Sequence, residues 1–511
     1  MLSTAYSAGL FGIDGYIVTV ECNARSRIPE FQLVGLPDLA VREAKERVRT
    51  ACENSGYHFP SIELMLNLAP ADRKKEGSAF DTAILMAIMR CGGILRQEVD
   101  FSDKCFVGEL SLSGELRSVK GVLCMCVAAR DAGFREFYAP AENAGEAAAV
   151  EGIKVYSVKS VRDLVLHLNG EKPLAPIECD KSAFENAMRT AALDFADVKG
   201  QTMAKRAVEI AAAGGHNILL IGPPGTGKSM LAKRIPGIMP PLTFEEAVEC
   251  TKVHSVAGVL KDGVSLISQR PFRSPHHTMS SASMVGGGIN PVPGEVSLAS
   301  HGVLFLDELP EYNKAVLDGL RQPLEDGRVT ITRVNGRVTY PCNFMLVCAM
   351  NPCKCGNFGN PLKKCTCPPG AVKSYISKIS GPMLDRIDIQ IEMPALTMDE
   401  LTDFAPSEPS SAIRARVIAA RAFAQKRFEE KGTYCNAQMS PSQTRALLNI
   451  TDGALTFLRS SFDACGLSAR AFDRIIRVSR TVADLALSEN VEEEHIAEAI
   501  RYRSLDRKYW R

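Results

Sequence analysis

Eight consecutive residues, Gly222, Pro223, Pro224, Gly225, Thr226, Gly227, Lys228 and Ser229, constrain this chain more than any other stretch. They fit the pattern G-x-x-x-x-G-K-[ST] and follow the apolar run Ile218, Leu219, Leu220, Ile221. A buried strand feeding a glycine turn and then a helix, here Met230 to Ile235, is the context that gives this pattern its meaning. The glycines let the backbone wrap around phosphate oxygens with its N–H groups inward, and the helix N-terminus adds partial positive charge. Lys228 is then placed to reach the β/γ-phosphates, and Ser229 to hold Mg²⁺. The sequence therefore predicts a nucleotide-binding P-loop domain with a parallel α/β core.

The rest of the chain has to account for what the nucleotide drives. With 511 residues, about three domains are expected at roughly 150 residues each. The net charge of +1 excludes a bulk positive field, so contact with nucleic acid must come from local basic patches. The best apolar run, Ala83 to Met89, stops at Arg90 and is too short to cross a membrane. Residues 1–6 lack the basic region of a signal peptide, which predicts a cytoplasmic protein with no membrane partner. Sixteen cysteines in that compartment should be reduced and mostly buried, with any regular cluster reading as a metal set and not as disulfides.

Residues 1–168 read as mixed α/β. Ile62, Leu64, Leu66 and Leu68 alternate with Glu63, Met65 and Asn67 as a strand with one well-buried face would, and Val41 to Ser55 has helical spacing stopped by Gly56. Asp81 to Arg90 and Val122 to Asp131 are expected helices, and Phe106 to Leu116 an expected strand pair around Ser113 and Gly114. Residues 169–193, with Pro173 and Pro176, read as a linker. Residues 194–396 carry the nucleotide motifs, and residues 397–511 form a last segment that is helical by period beyond residue 410.

A second buried strand, Val303 to Leu306, ends in Asp307 and Glu308. Asp307 is placed to orient Mg²⁺ and Glu308 to act as general base on the attacking water. Four thiols, Cys353, Cys355, Cys365 and Cys367, stand as C-x-C-x9-C-x-C in a segment rich in Gly, Asn and Pro. They form a candidate tetrahedral Zn²⁺ set, the alternative being unligated thiols.

The run from Pro70 to Asp81, with Gly108-Glu109-Leu110 and Gly114 to Arg117, resembles the Lon-protease-type domain at the N-terminus of Mg-chelatase-like AAA+ proteins of the ComM/YifB type. The resemblance continues through nearly the whole chain. It implies an N-terminal Lon-like α/β domain, a central AAA+ core and a C-terminal helical lid. Lon-type proteolysis needs a serine and a lysine, but Ala79 and Leu123 occupy the aligned positions, with Ser78 and Lys120 nearby. A non-catalytic domain is therefore expected.

By the same resemblance, the segment around Val198 lines the adenine pocket. Asn351, at the end of the strand 344–348, contacts the γ-phosphate and water. Arg386, in Leu384-Asp385-Arg386-Ile387-Asp388, acts as an arginine finger on a neighbouring subunit, and Arg470 is the lid arginine. Residues 273–294 resemble a helix-2 insert. The hairpin carrying Arg328, Arg333 and Arg337 around Val334-Asn335-Gly336 resembles a pre-sensor hairpin that meets DNA in a ring's channel. The resemblance implies a homo-hexameric, ATP-driven motor on single-stranded or branched DNA, acting with recombination proteins in recombination and natural transformation. The alternatives are a chelatase motor acting on a protein-bound tetrapyrrole and a Lon-like protease or remodeller.

Overall fold

The computed structural model describes residues 1–179, 193–261, 264–288, 291–333, 336–360, 363–398, 400, 407–428, 435–465 and 469–510. Its central element is a five-stranded sheet whose neighbours are all parallel, in the order Phe272–Arg273, Val303–Leu306, Met345–Met350, Ile218–Ile221, Ile389–Glu392. The strands Ile218–Ile221 and Val303–Leu306 are buried at every position. That is why their sequences are unbroken aliphatic runs with no alternation. All five strands point the same way, so the loops that follow them gather at one edge of the sheet, where ligands of open α/β sheets bind.

The N-terminal part is built on two four-stranded sheets. In the first, Leu2–Phe11 and Asp14–Arg25 form an antiparallel hairpin continued by Glu63–Ala69, with Glu30–Val34 parallel on the edge. In Glu63–Ala69, Leu64, Leu66 and Leu68 are buried while Met65 is exposed, the period-2 alternation expected of a sheet with one covered face. The helix Asp81–Cys91 is buried almost throughout. Its Asp81 is paired to Arg47 of the helix Leu39–Asn54 at 2.8 Å, as a carboxylate at such depth requires.

Four expectations are corrected. Phe106 does not pair around Ser113 and Gly114: Lys104–Phe106 joins the second sheet beside Glu136–Pro140, and only Glu109–Leu110 with Leu116–Arg117 forms the short hairpin. Within the expected linker, 169–193, Pro176–Ile177 forms a short strand paired with Lys154–Val158. The helix after the glycine turn is two pieces, Lys228–Ala232 and Ile235–Ile238, with Pro236 in the first turn of the second. A proline there is tolerated because its missing N–H has no helical acceptor. Finally, the arginine hairpin pairs Arg333 with Gly336. Gly336 therefore opens the returning strand at φ +137° and is not a central turn residue; Val334 and Asn335 lie outside the described residues.

The C-terminal helices share a core with the sheet. Ser410–Gln425 and Ala469–Leu485 pack on Thr202–Gly214, the helix before the Ile218–Ile221 strand. Ile413, Val417, Ile475 and Val482 belong to the same buried cluster as Val208, Ile218 and Val347. The N-terminal part also touches the central one: Val122–Asp131 packs on Phe244–Ala257, and the Gly121 amide donates to Ser255 Oγ at 3.1 Å. No described helix is long and apolar enough to cross a membrane.

Candidate functional site

Residues 222–229 connect the central strand Ile218–Ile221 to the helix Lys228–Ala232. Gly225 and Gly227 adopt φ of +81° and +87°, and a Cβ at either would meet nothing within 4 Å. These two glycines are thus required by backbone conformation, which leaves an open concavity for an oxygen-rich ligand. Lys228 Nζ lies over that concavity, donating to the carbonyls of Gly222 at 2.7 Å and Pro223 at 2.8 Å and to Asn351 Oδ1 at 3.1 Å. Burial disfavours its charge; the nearby Asp307 works the other way without cancelling this, and the amine is held down to about 8.

The strand Met345–Met350, which delivers Asn351, lies between the strand of the glycine turn and Val303–Leu306. This order brings three sequence-distant polar groups to one edge. Ser229 Oγ donates to Asp307 Oδ2 at 2.8 Å, so the hydroxyl and carboxylate expected to share a divalent cation already face each other. Glu308 sits at φ +52°, a costly conformation for a non-glycine residue that recurs at functional positions. Its amide donates to Asp307 Oδ1 at 2.9 Å, and its half-exposed carboxylate lies 3.6 Å from His277 Nδ1.

His277 escaped sequence reasoning, although the pair His276-His277 stood in the quoted insert. Nothing in spacing alone aims an insert residue at a strand 30 positions on. The insert itself consists of the short helix Ser281–Val285 and a two-residue hairpin, Gly286–Gly287 with Val292–Pro293. Arg333 Nε reaches from the neighbouring hairpin to the Gly288 carbonyl at 3.3 Å, so insert and arginine hairpin stand side by side. Arg337 pairs across from Thr332, near the described end of the hairpin, whereas Arg328 pairs with Pro341 at its base.

Val198 is buried in a segment tied to the helix after the glycine turn by Arg234, which bonds the Asp194 carbonyl at 2.5 Å and the Asp197 carboxylate at 2.7 Å. Arg386 is not among the groups around Lys228. It precedes the strand Ile389–Glu392 and so lies at the opposite edge of the sheet, bonded to the Pro382 carbonyl at 2.7 Å and to the Glu325 carboxylate. There it lines an open cleft of about 1060 Å³ with Arg270, Arg421, Arg474 and Arg477. Arg470 belongs to the helix Ala469–Leu485, whose Arg474 faces Asp388 at this same edge, 3.5 Å away. The side chain of Arg470 and the residue Ser468 lie outside what is described.

Asn217, also missed by sequence reasoning, joins three strands at that edge. Its Nδ2 donates to the Arg386 carbonyl at 2.8 Å, its Oδ1 accepts from the Leu346 amide at 2.9 Å, and its own amide donates to Asp388 Oδ2 at 3.3 Å. Asp388 is held below the usual carboxylate range: burial acts to raise it, but the hydrogen bond from His216 and the charges of Arg474 and Arg477 outweigh burial.

The four thiols at 353–367 converge, all within 4.8 Å of one another. In the N-terminal part, Ala79 and Leu123 lie in one apolar cluster with Ala8 and Val122. Ser78 donates to the Glu109 carboxylate, and Lys120 packs its stem against Gly258.

Comparison with known proteins adds the following. Residues 194–401 match the family model described as magnesium chelatase, subunit ChlI; residues 20–143 match that of subunit ChlI of Mg-chelatase; and residues 407–503 match that of the ChlI C-terminal region. The chain is 40% identical over 511 residues to competence protein ComM of Haemophilus influenzae, covering 99% of this chain and 98% of the relative. It is 38% identical over 510 residues to the uncharacterized protein YifB of Escherichia coli K12, with the same two coverages. Similarity to the magnesium-chelatase 67 kDa subunit of Heliobacterium mobile is 25% over 193 residues, spanning 32% of this chain and 29% of that one.

Proposed function

Because the chain belongs to the Mg-chelatase-like family of the ComM/YifB type, we propose that this AAA+ ATPase is a ring-forming motor that moves branched or single-stranded DNA. Bound Mg-ATP would supply the transferable phosphoryl group and a divalent charge beside it. Ser229 and Asp307 are the residues that would hold the cation, and their 2.8 Å contact supports that fit. Lys228 would give up its two loop carbonyls for phosphate oxygens. Glu308 would take the proton of the attacking water, with Asn351 orienting that water. Arg386, at the far edge of the sheet, is out of reach of its own chain's glycine turn and suited to a neighbour's. That division of labour requires a ring, which we take to be a homo-hexamer.

The observation that carries the DNA half of the reading is the arginine hairpin beside the glycine-rich insert, with Arg333 and Arg337 near its described end. Repeated around a ring, it would line a channel with positive charge, which attracts a phosphate backbone irrespective of sequence. One relative matched over nearly the full length is named for competence, which favours work in recombination and transformation over the chelatase reading; the chelatase subunit matches a third of the chain. A Lon-like proteolytic role for residues 1–168 is disfavoured by Ala79 and Leu123, since a methyl and an isobutyl group can neither attack nor activate.

The test is strand displacement on forked and four-way DNA with ATP. The parent protein should unwind both. The double variant Arg333→Ala, Arg337→Ala should keep its basal hydrolysis, lose unwinding and bind single strands with a log–log salt slope lower by about 0.7 per lost phosphate contact. Unwinding by that variant at the parent rate, with an unchanged salt slope, would refute the channel reading.

A further inference from the structure

The loop that follows Asn351 has little apolar material: Gly356, Asn357, Gly359 and Asn360 surround Phe358 in its first half, and its described residues form no helix or strand before Pro369. Among its described residues only the four cysteines join the neighbouring apolar cluster. Its four cysteines are reduced, and their sulfurs stand close together: Cys353 to Cys355 at 3.3 Å, Cys355 to Cys365 at 3.5 Å and Cys353 to Cys365 at 3.7 Å, with Cys367 inside the same 4.8 Å envelope. A tetrahedron of sulfurs about 2.3 Å from a central Zn²⁺ has an edge of about 3.8 Å. Two backbone amides already point at sulfur, Phe358 N–H to Cys353 Sγ at 3.3 Å and Cys355 N–H to Cys367 Sγ at 3.4 Å. Such donors offset thiolate charge and orient the ligands of a metal. Iron–sulfur cubanes bond their cysteines to separate irons and spread the sulfurs further than one ion needs.

The loop's placement says what the ion would do. Cys353 lies two residues beyond Asn351 and is fully buried, in one cluster with Met350, Tyr375 and Tyr509. The backbone of Gly356, at φ +79°, rests on the ring of Pro224 so closely that a Cβ there would come within 2.4 Å of Pro224 Cδ. On its other side, Phe358 meets Tyr509 with ring centroids 6.3 Å apart. Tyr509 and Lys508 are anchored on Glu392 at 3.0 Å and 2.6 Å.

We propose that Cys353, Cys355, Cys365 and Cys367 bind one Zn²⁺ as a tetrathiolate, and that this centre is the brace that holds the outer wall of the 222–229 turn through Gly356 and Pro224. The second half rests on the reading of that turn as a phosphate site.

The experiment uses the full chain. Metal analysis should give about one Zn per chain, and Co²⁺ exchanged into the parent protein should show thiolate-to-metal charge transfer and tetrahedral d–d bands. Neither readout depends on a variant that fails to fold. Stripping the ion with a chelator should weaken ATP binding, read as a rise in Kd, and re-adding Zn²⁺ should restore it. Gly356→Ala should keep the metal yet weaken ATP binding. A metal-free or iron-loaded parent protein overturns the zinc centre. Zn present, with ATP affinity unchanged by both stripping and Gly356→Ala, overturns the brace. Failure of the zinc-loaded parent to bind ATP at all overturns the phosphate-site reading on which the brace depends, while the zinc centre stands on its own spectrum.

Discussion

The amine of Lys228 is the place to press the nucleotide reading quantitatively. Burial holds its pKa at about 8 before any ligand arrives, and a phosphate chain beside it would raise that value by adding negative charge. Binding is therefore coupled to proton uptake above about pH 8, and the sign follows: affinity is full when the free amine is charged and falls as pH rises past about 8. Near pH 7 roughly nine amines in ten are charged; near pH 9 about one in eleven is, and a tenfold loss of affinity, about 1.4 kcal/mol, is expected between the two. Mg-ATP keeps a constant charge over that interval, so the change belongs to the protein. Calorimetric titrations at constant ionic strength, repeated in buffers of different ionisation enthalpy, should show both the fall and the proton uptake. Lys228→Arg, whose guanidinium stays charged, should bind with a flat profile. A flat profile in the parent protein, or an equal slope in Lys228→Arg, would refute the reasoning.

Glu308→Gln should bind ATP as tightly as the parent and lose hydrolysis by at least about 10²-fold, the usual worth of a positioned base; phosphate release at the parent rate would remove Glu308 from that role. Arg386→Ala and Lys228→Ala should each be inactive alone and recover hydrolysis on mixing, because only a mixed ring pairs an intact Lys228 with an intact Arg386. A finger in trans is worth about 10³-fold or more, so a minority of repaired interfaces would be visible in a steady-state assay, and no recovery at any mixing ratio would place Arg386 outside a shared site.

The glycine turn and the Asp307-Glu308 strand end were legible because local chemistry dictates them: no other residues meet the φ of +81° and +87° as cheaply as Gly225 and Gly227, and strands buried on every side must be aliphatic. The cysteine spacing was legible as a candidate ligand set for the same reason. What sequence could not give was adjacency. The contact of Gly356 with Pro224 joins positions with more than a hundred residues between them, and His277 approaches Glu308 only because the insert folds back over the strand end. Asn217 looked like the polar start of a strand, but its three hydrogen bonds are made to strands whose order in the sheet no local pattern encodes. The Phe106 to Leu116 misreading has the same root, since β-pairing partners are chosen by the whole sheet.

Asn217 carries one more consequence. It is the foot of the strand whose head is the glycine turn, and Arg386 hangs from its side-chain Nδ2 while the strand that leads to Asn351 begins on its side-chain Oδ1. Along these two hydrogen-bonded strands there is no loop to absorb a displacement, so a shift at the nucleotide edge would reach the arginine edge as the tilt of a rigid plank reaches its far end. In the ring proposed above, each chain would then report the state of its own nucleotide by how far it extends Arg386 toward the next chain's, through a sheet five strands wide.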